Sequence, residues 1–132
     1  MTRREIREQL FVLLFQKEFY GGESFEEQRE TYFQNHSMEE GERKYISEKL
    51  DKISEVQDKL DAMISEHSNG WKIDRIGKEE LAILRLAVYE ALYDDDIPVG
   101  VAVNEAVELG KTYGAEGGAS FINGILGEIV NE

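Results

Sequence analysis

Residues 81–92, LAILRLAVYEAL, constrain the fold more than any other stretch. Read as a helix, the segment is apolar all round apart from Arg85 and Glu90. A helix of that kind has to be covered on every side, so it belongs at the centre of a bundle. The covering elements are helical too. The 132 residues contain one proline, and no segment alternates with the period of a strand. The expected fold class is all-α: a compact bundle of about seven helices, most simply one domain over residues 1–132.

The helices follow from periodicity and caps. The first covers about residues 3–20, with Leu10 to Phe15 apolar on every side, and stops at Gly21-Gly22. Ser24 with Glu27, and Ser37 with Glu40, have capping-box spacing and start a second and a third helix. A stripe from Tyr45 and Ile46 through Leu50, Ile53, Val56, Leu60 and Ile64 reaches about His67. That run is long for one globular helix, which predicts a break near Ile53–Glu55. SNGWKIDRIG (68–77) is a connector dividing a half of about 1–67 from one of about 71–132, with Trp71 as a core anchor or a cover over it. Further helices are expected at 78–93, 98–113 and from Gly118, the last with Ile122, Ile125, Leu126 and Ile129 on one face. Arg85, inside an apolar helix, should pair with Glu105 or Glu108, because an unpaired buried charge would be prohibitive.

Charge sharpens the picture. The net charge is −13, yet residues 1–20 hold four basic and three acidic groups. An acidic surface disfavours nucleic acid, since phosphate contacts supply most of that affinity, and the opening helix is the exception. Arg3, Arg4 and Arg7 crowd an end that the helix dipole already makes positive, at a cost of about 0.3–1 kcal/mol for each exposed cation. Arg3 and Arg7 also repel at i,i+4, while Arg4 can pair with Glu8. Such placement suggests a use other than helix stability.

Catalysis has little support. The chain has no cysteine, which suits a reducing cytoplasm and excludes thiolate chemistry. His36 and His67 lie in no metal-binding motif. Asp94, Asp96 and Glu105 imitate calcium-loop positions, but Pro98 and Val99 break the pattern. No phosphate-binding loop or nucleophile elbow is present, and no cofactor or metal is expected. A six-residue apolar run without a cleavage site is no secretory signal, and nothing is long enough to span a membrane.

GGASFINGIL (117–126) resists a purely structural account. Phe121 falls roughly 100° from the centre of its helix's apolar stripe. Gly124 and Gly127 each cost about 1 kcal/mol in a helix interior, which implies close helix packing or close approach of another backbone. A first-turn packing role for Phe121 is as good a reading, on geometry alone, as a functional one. Arginines with an out-of-register aromatic beside glycines are also the ingredients for holding unstacked bases and their phosphates.

Taken together, ILRLAVYE, IPVGVAVNEAVELGKTYG and FINGIL at these spacings, with RREIREQLFVLLFQ at the start, resemble the NusB family of transcription antitermination factors. Residues 21–70 match only in helical pattern. The resemblance implies two packed helical subdomains and binding of the boxA element of nascent RNA jointly with NusE, a small-subunit ribosomal protein. Such complexes load onto RNA polymerase and suppress termination in ribosomal RNA operons. By that resemblance Arg3, Arg4, Arg7 and Phe121 contact RNA, and NusE docks on an acidic face including Asp74 and Glu80, with Phe15 nearby. Many members carry a longer basic head, and Glu5 and Glu8 dilute the patch here, so RNA alone should bind weakly and NusE should be needed. The competing reading is a helical protein-interaction adaptor or homodimer whose arginines meet a protein surface.

Overall fold

The computed structural model describes residues 1–131, the side chains of residues 20–24 excepted. Its regular structure is helical: α1 (Arg3–Asn35), α2 (Glu40–Glu55), α3 (Gln57–Glu66), a 3-10 turn (Ile73–Arg75), α4 (Lys78–Tyr93), α5 (Val99–Tyr113) and α6 (Gly118–Val130). The chain divides into two units, Met1–Lys52 and Ile53–Glu132.

In the first unit, Thr2 starts α1 with a full capping box. Its hydroxyl accepts from the Glu5 amide at 3.1 Å, and its own amide donates to the Glu5 carboxylate at 2.8 Å. Helix α1 is not straight. The Tyr32 hydroxyl donates to the Gln9 side chain, 23 residues earlier. A straight helix would separate those positions by about 34 Å. Lys17 Nζ also sits 5.5 Å from the Phe25 ring centre. Both pairs bring residues before 20 against residues after 24 within this unit. The expected stop at Gly21-Gly22 and the Ser24 cap lie outside the described residues.

Leu10, Phe11, Leu13 and Leu14 from the first part of α1, and Phe25, Tyr32 and Phe33 from the second, are buried. The next start differs from expectation. Helix α2 begins at Glu40, and the Glu39 amide donates to Glu42 Oε1 at 3.1 Å. Ser37 is exposed and stands too far upstream to cap it. The Met1 ammonium also reaches Glu42, at 2.5 Å. Arg29 bridges within this unit to Asp51 at 2.9 Å and Glu26 at 2.8 Å.

The expected break in the long stripe falls at Val56, between the end of α2 and the start of α3. In the second unit, α4 is the central helix: every residue from Glu80 to Glu90 is buried, with α3, α5 and α6 packed against it. Arg85 meets a carboxylate that the sequence did not suggest: Asp61 on α3, with Nε–Oδ1 at 2.8 Å and Nη2–Oδ2 at 2.9 Å. The planar guanidinium meets the carboxylate through two parallel bonds, a geometry that one facing carboxylate satisfies.

Trp71 is 52% exposed and no core anchor. The connector closes on itself instead. Asn69 and Gly70 take left-handed backbone (φ 51° and 88°), the Trp71 amide donates to Ser68 O, and the Ser68 hydroxyl donates to Trp71 O at 2.6 Å. Close packing of α5 on α6 occurs at Gly110, where an added Cβ would lie 3.0 Å from the Ala119 Cα. Gly124 and Gly127 have nothing within 4 Å of that position, so neither serves helix packing within this chain.

Candidate nucleic-acid interface

The tip of α1 holds three arginines in three different settings. Arg3 is exposed, with no hydrogen bond or ion pair among the described residues. Arg4 is exposed but has a partner within the chain, as does Glu8. Arg7 is buried and also partnered. Hydrogen bonds from Thr2, above all from its amide, hold the Glu5 carboxyl below the usual carboxylate range. Glu5 is thus committed to the cap, where a negative charge offsets the helix dipole and part of the arginine charge.

Phe15, farther along α1, is half-buried in an aromatic ladder. It stacks with Phe11 at 6.0 Å and meets Phe19 edge-on at 5.0 Å, with Phe19 itself exposed. Asp74 lies exposed in the 3-10 turn of the second unit.

The second unit holds a cavity of about 210 Å³ that brings Glu80 and Phe121 together. Expectation had divided these two between a protein face and an RNA surface. Glu80 lies in the first turn of α4 and is 7% exposed, and its Oε2 is buried with no hydrogen-bond partner. Glycine backbone presses on this carboxylate from two helix starts. An added Cβ at Gly77, the N-cap of α4, would lie 3.1 Å from Oε1, and one at Gly118, the first residue of α6, 3.3 Å. Gly117, with φ 80°, caps α6 beside it. The positive ends of two helices therefore flank one carboxylate.

Trp71, Arg75 and Glu116 complete the walls that bear on chemistry. The Arg75 guanidinium has no hydrogen bond or ion pair among the described residues, and neither Trp71 nor Phe121 has a ring contact. Sequence reasoning missed Arg75 and gave Trp71 only a structural part. The signal was present: WKIDRIG carries an aromatic, an arginine and a glycine at short spacing, the same ingredients noted around Phe121. The histidines are helix ends, His36 closing α1 and His67 closing α3, each donating from Nδ1 to the carbonyl four residues back at 2.9 Å. No group of three or more His, Asp or Glu suited to a metal occurs among the described residues.

Comparison with known proteins agrees with this picture. The NusB family profile matches residues 4–131. The transcription antitermination protein NusB of Lachnoclostridium phytofermentans is 46% identical over 132 residues, covering 99% of this chain and 100% of that protein. Among solved structures, T. maritima NusB superposes with a TM-score of 0.91 at 33% identity, covering 100% of this chain and 92% of that one. A structure of the antitermination factors NusB and NusE in complex with double-stranded RNA matches with a TM-score of 0.80 at 27% identity, over 98% of this chain and 96% of that one. The chain belongs to the NusB family.

Proposed function

We propose that this protein is a transcription antitermination factor that binds boxA-type RNA together with NusE and acts on RNA polymerase in the cytoplasm, during transcription of ribosomal RNA. The observation that carries the reading is the likeness, over nearly the whole chain, to a NusB held in a complex with NusE and RNA. Charge supports it. Arg3 offers an unanswered cation at the tip of α1 for a phosphate, with Arg4 and Arg7 adding to the local field. Phe121, without a ring contact among the described residues, offers a face for a base. Phe15 and Asp74 present an aromatic and an acidic surface for NusE. Glu80, in the first turn of α4, adds a second carboxylate to that NusE face.

The test is titration of labelled boxA RNA, with and without NusE, across a salt series. For a single strand the log–log slope is about −0.7 per phosphate neutralised. Arg3→Ala weakens binding and flattens that slope, while Phe121→Ala weakens binding with the slope unchanged. Asp74→Lys removes co-elution with NusE. Equal affinity for boxA and scrambled RNA in the presence of NusE would overturn the reading.

A further inference from the structure

Nine large apolar side chains stand exposed among the described residues, and four of them fall within ten consecutive positions: Leu92, Tyr93, Val99 and Val101, each between 42% and 44% exposed. Leu92 and Tyr93 lie in the last turn of α4, and Val99 and Val101 in the first turn of α5. The two helices pack together, so the turn between them gathers all four at one end of the second unit. Tyr93 is held there by stacking on the buried Tyr89, with ring centres 5.7 Å apart. A single exposed apolar side chain needs no explanation, whereas a group of them rimmed by polar residues marks an interaction surface.

The rim is acidic. Residues 86–110 carry six acidic and no basic side chains. Asp94 is engaged in the turn, where its carboxylate accepts from the Asp96 amide at 3.0 Å. Asp95 and Asp96 are exposed, and their carboxylates have no hydrogen bond or ion pair among the described residues. The N-cap of α5 is Pro98, so neither aspartate caps that helix.

We propose that this end of the second unit docks a basic amphipathic helix of another protein, one that carries lysine or arginine beside an apolar stripe. Such a helix lays its apolar anchors on an exposed apolar surface, and complementary charge at the rim selects it over acidic competitors. Nucleic acid is disfavoured, because a segment with acidic groups alone repels phosphate. A second copy of this chain is disfavoured too, since a self-paired patch sets Asp95 and Asp96 of one copy near those of the other. The surface is separate from the one proposed for NusE and RNA. Glu80 and Tyr93 stand thirteen residues apart on α4, about 20 Å along its axis. Phe121 shares the cavity of Glu80, at the far end of that helix. Docking here therefore needs neither NusE nor RNA.

The test uses the isotope-labelled full chain and, as probe, a synthetic amphipathic helix of leucine and lysine, with its leucine–glutamate counterpart as control. We expect the lysine peptide to shift the backbone amide signals of residues 92–101 and the glutamate peptide to shift none. Leu92→Ser and Val101→Ser should each weaken binding about tenfold. Asp95→Asn and Asp96→Asn together should weaken it about fivefold. Addition of NusE with a boxA-type RNA should leave the lysine peptide bound. Shifts spread evenly over the acidic surface, equal binding of the two peptides, or undiminished affinity in the variants would overturn the proposal. Shifts at 92–101 that follow protein concentration without peptide would assign the patch to a second copy and overturn it. Displacement of the peptide by NusE alone would assign the patch to that protein and overturn it as well.

Discussion

Helix α4 carries Glu80 and Arg85, two buried charges on one rigid element with opposite fates. Arg85 is answered twice by Asp61, at 2.8 and 2.9 Å. Glu80 Oε2 has no hydrogen-bond partner among the described residues. One charge is completed by a carboxylate of the fold, whereas the other is flanked only by two helix starts. Breaking the completed pair gives the largest expected effect. Asp61→Ala removes both of these bonds from the buried Arg85 guanidinium and should cost about 3–5 kcal/mol, read from urea unfolding. Glu80→Gln, which keeps the shape of the side chain and breaks no hydrogen bond among the described residues, should leave stability within about 1 kcal/mol of wild type. Equal losses from the two substitutions would erase the contrast and mean that Glu80 is satisfied in the folded chain.

The same contrast recurs among glycines, at smaller magnitude. Gly110 is closed in, with Ala119 backbone 3.0 Å from where a Cβ would sit. Gly110→Ala should therefore cost about 1–3 kcal/mol by overpacking α5 against α6. Gly124 faces open space on α6. Gly124→Ala should stabilise the isolated protein by up to about 1 kcal/mol, the helix-propensity gain. If that substitution also weakens RNA or NusE binding, the open face is kept for a partner. If it destabilises, the space around Gly124 is occupied.

Legibility in the sequence followed the same division. Where burial and caps agree locally, the sequence sufficed: LAILRLAVYEAL is the buried α4, α5 closes at Gly114, and the long stripe breaks at Val56. Long-range choices were not written in any one segment. That Asp61 meets Arg85 depends on how α3 faces α4, and periodicity does not encode that rotation. Trp71 was open to two readings, core anchor or cover over the connector, and the hydrogen-bonded turn through Ser68 with left-handed Asn69 and Gly70 leaves it too exposed for the first. At the candidate site, motif resemblance brought Glu80 and Phe121 to notice, but their common cavity needed α4 and α6 to start side by side. Arg7 looked like part of an open cationic tip, whereas it is buried.

The smallest effect concerns the cationic tip itself, where Glu5 is completed by Thr2 and Arg3 is not completed at all. Because its folded pKa is depressed, the Glu5 carboxylate contributes stability that is present above its unfolded value, about 4.3. That contribution is lost as pH falls through the folded value. Glu5→Gln keeps an acceptor for the Thr2 amide and loses the charge. Its melting temperature should lie slightly below wild type at pH 7, and the two should converge as pH drops below about 4. The Met1 ammonium and the Glu42 carboxylate titrate in both proteins and act on Glu5 only as minor coulombic causes beside the Thr2 hydrogen bonds. A gap that persists unchanged into acid would locate the effect in packing rather than charge. A gap that closes would show Glu5 as a cap whose charge serves the helix, leaving Arg3 as the unanswered cation at its tip.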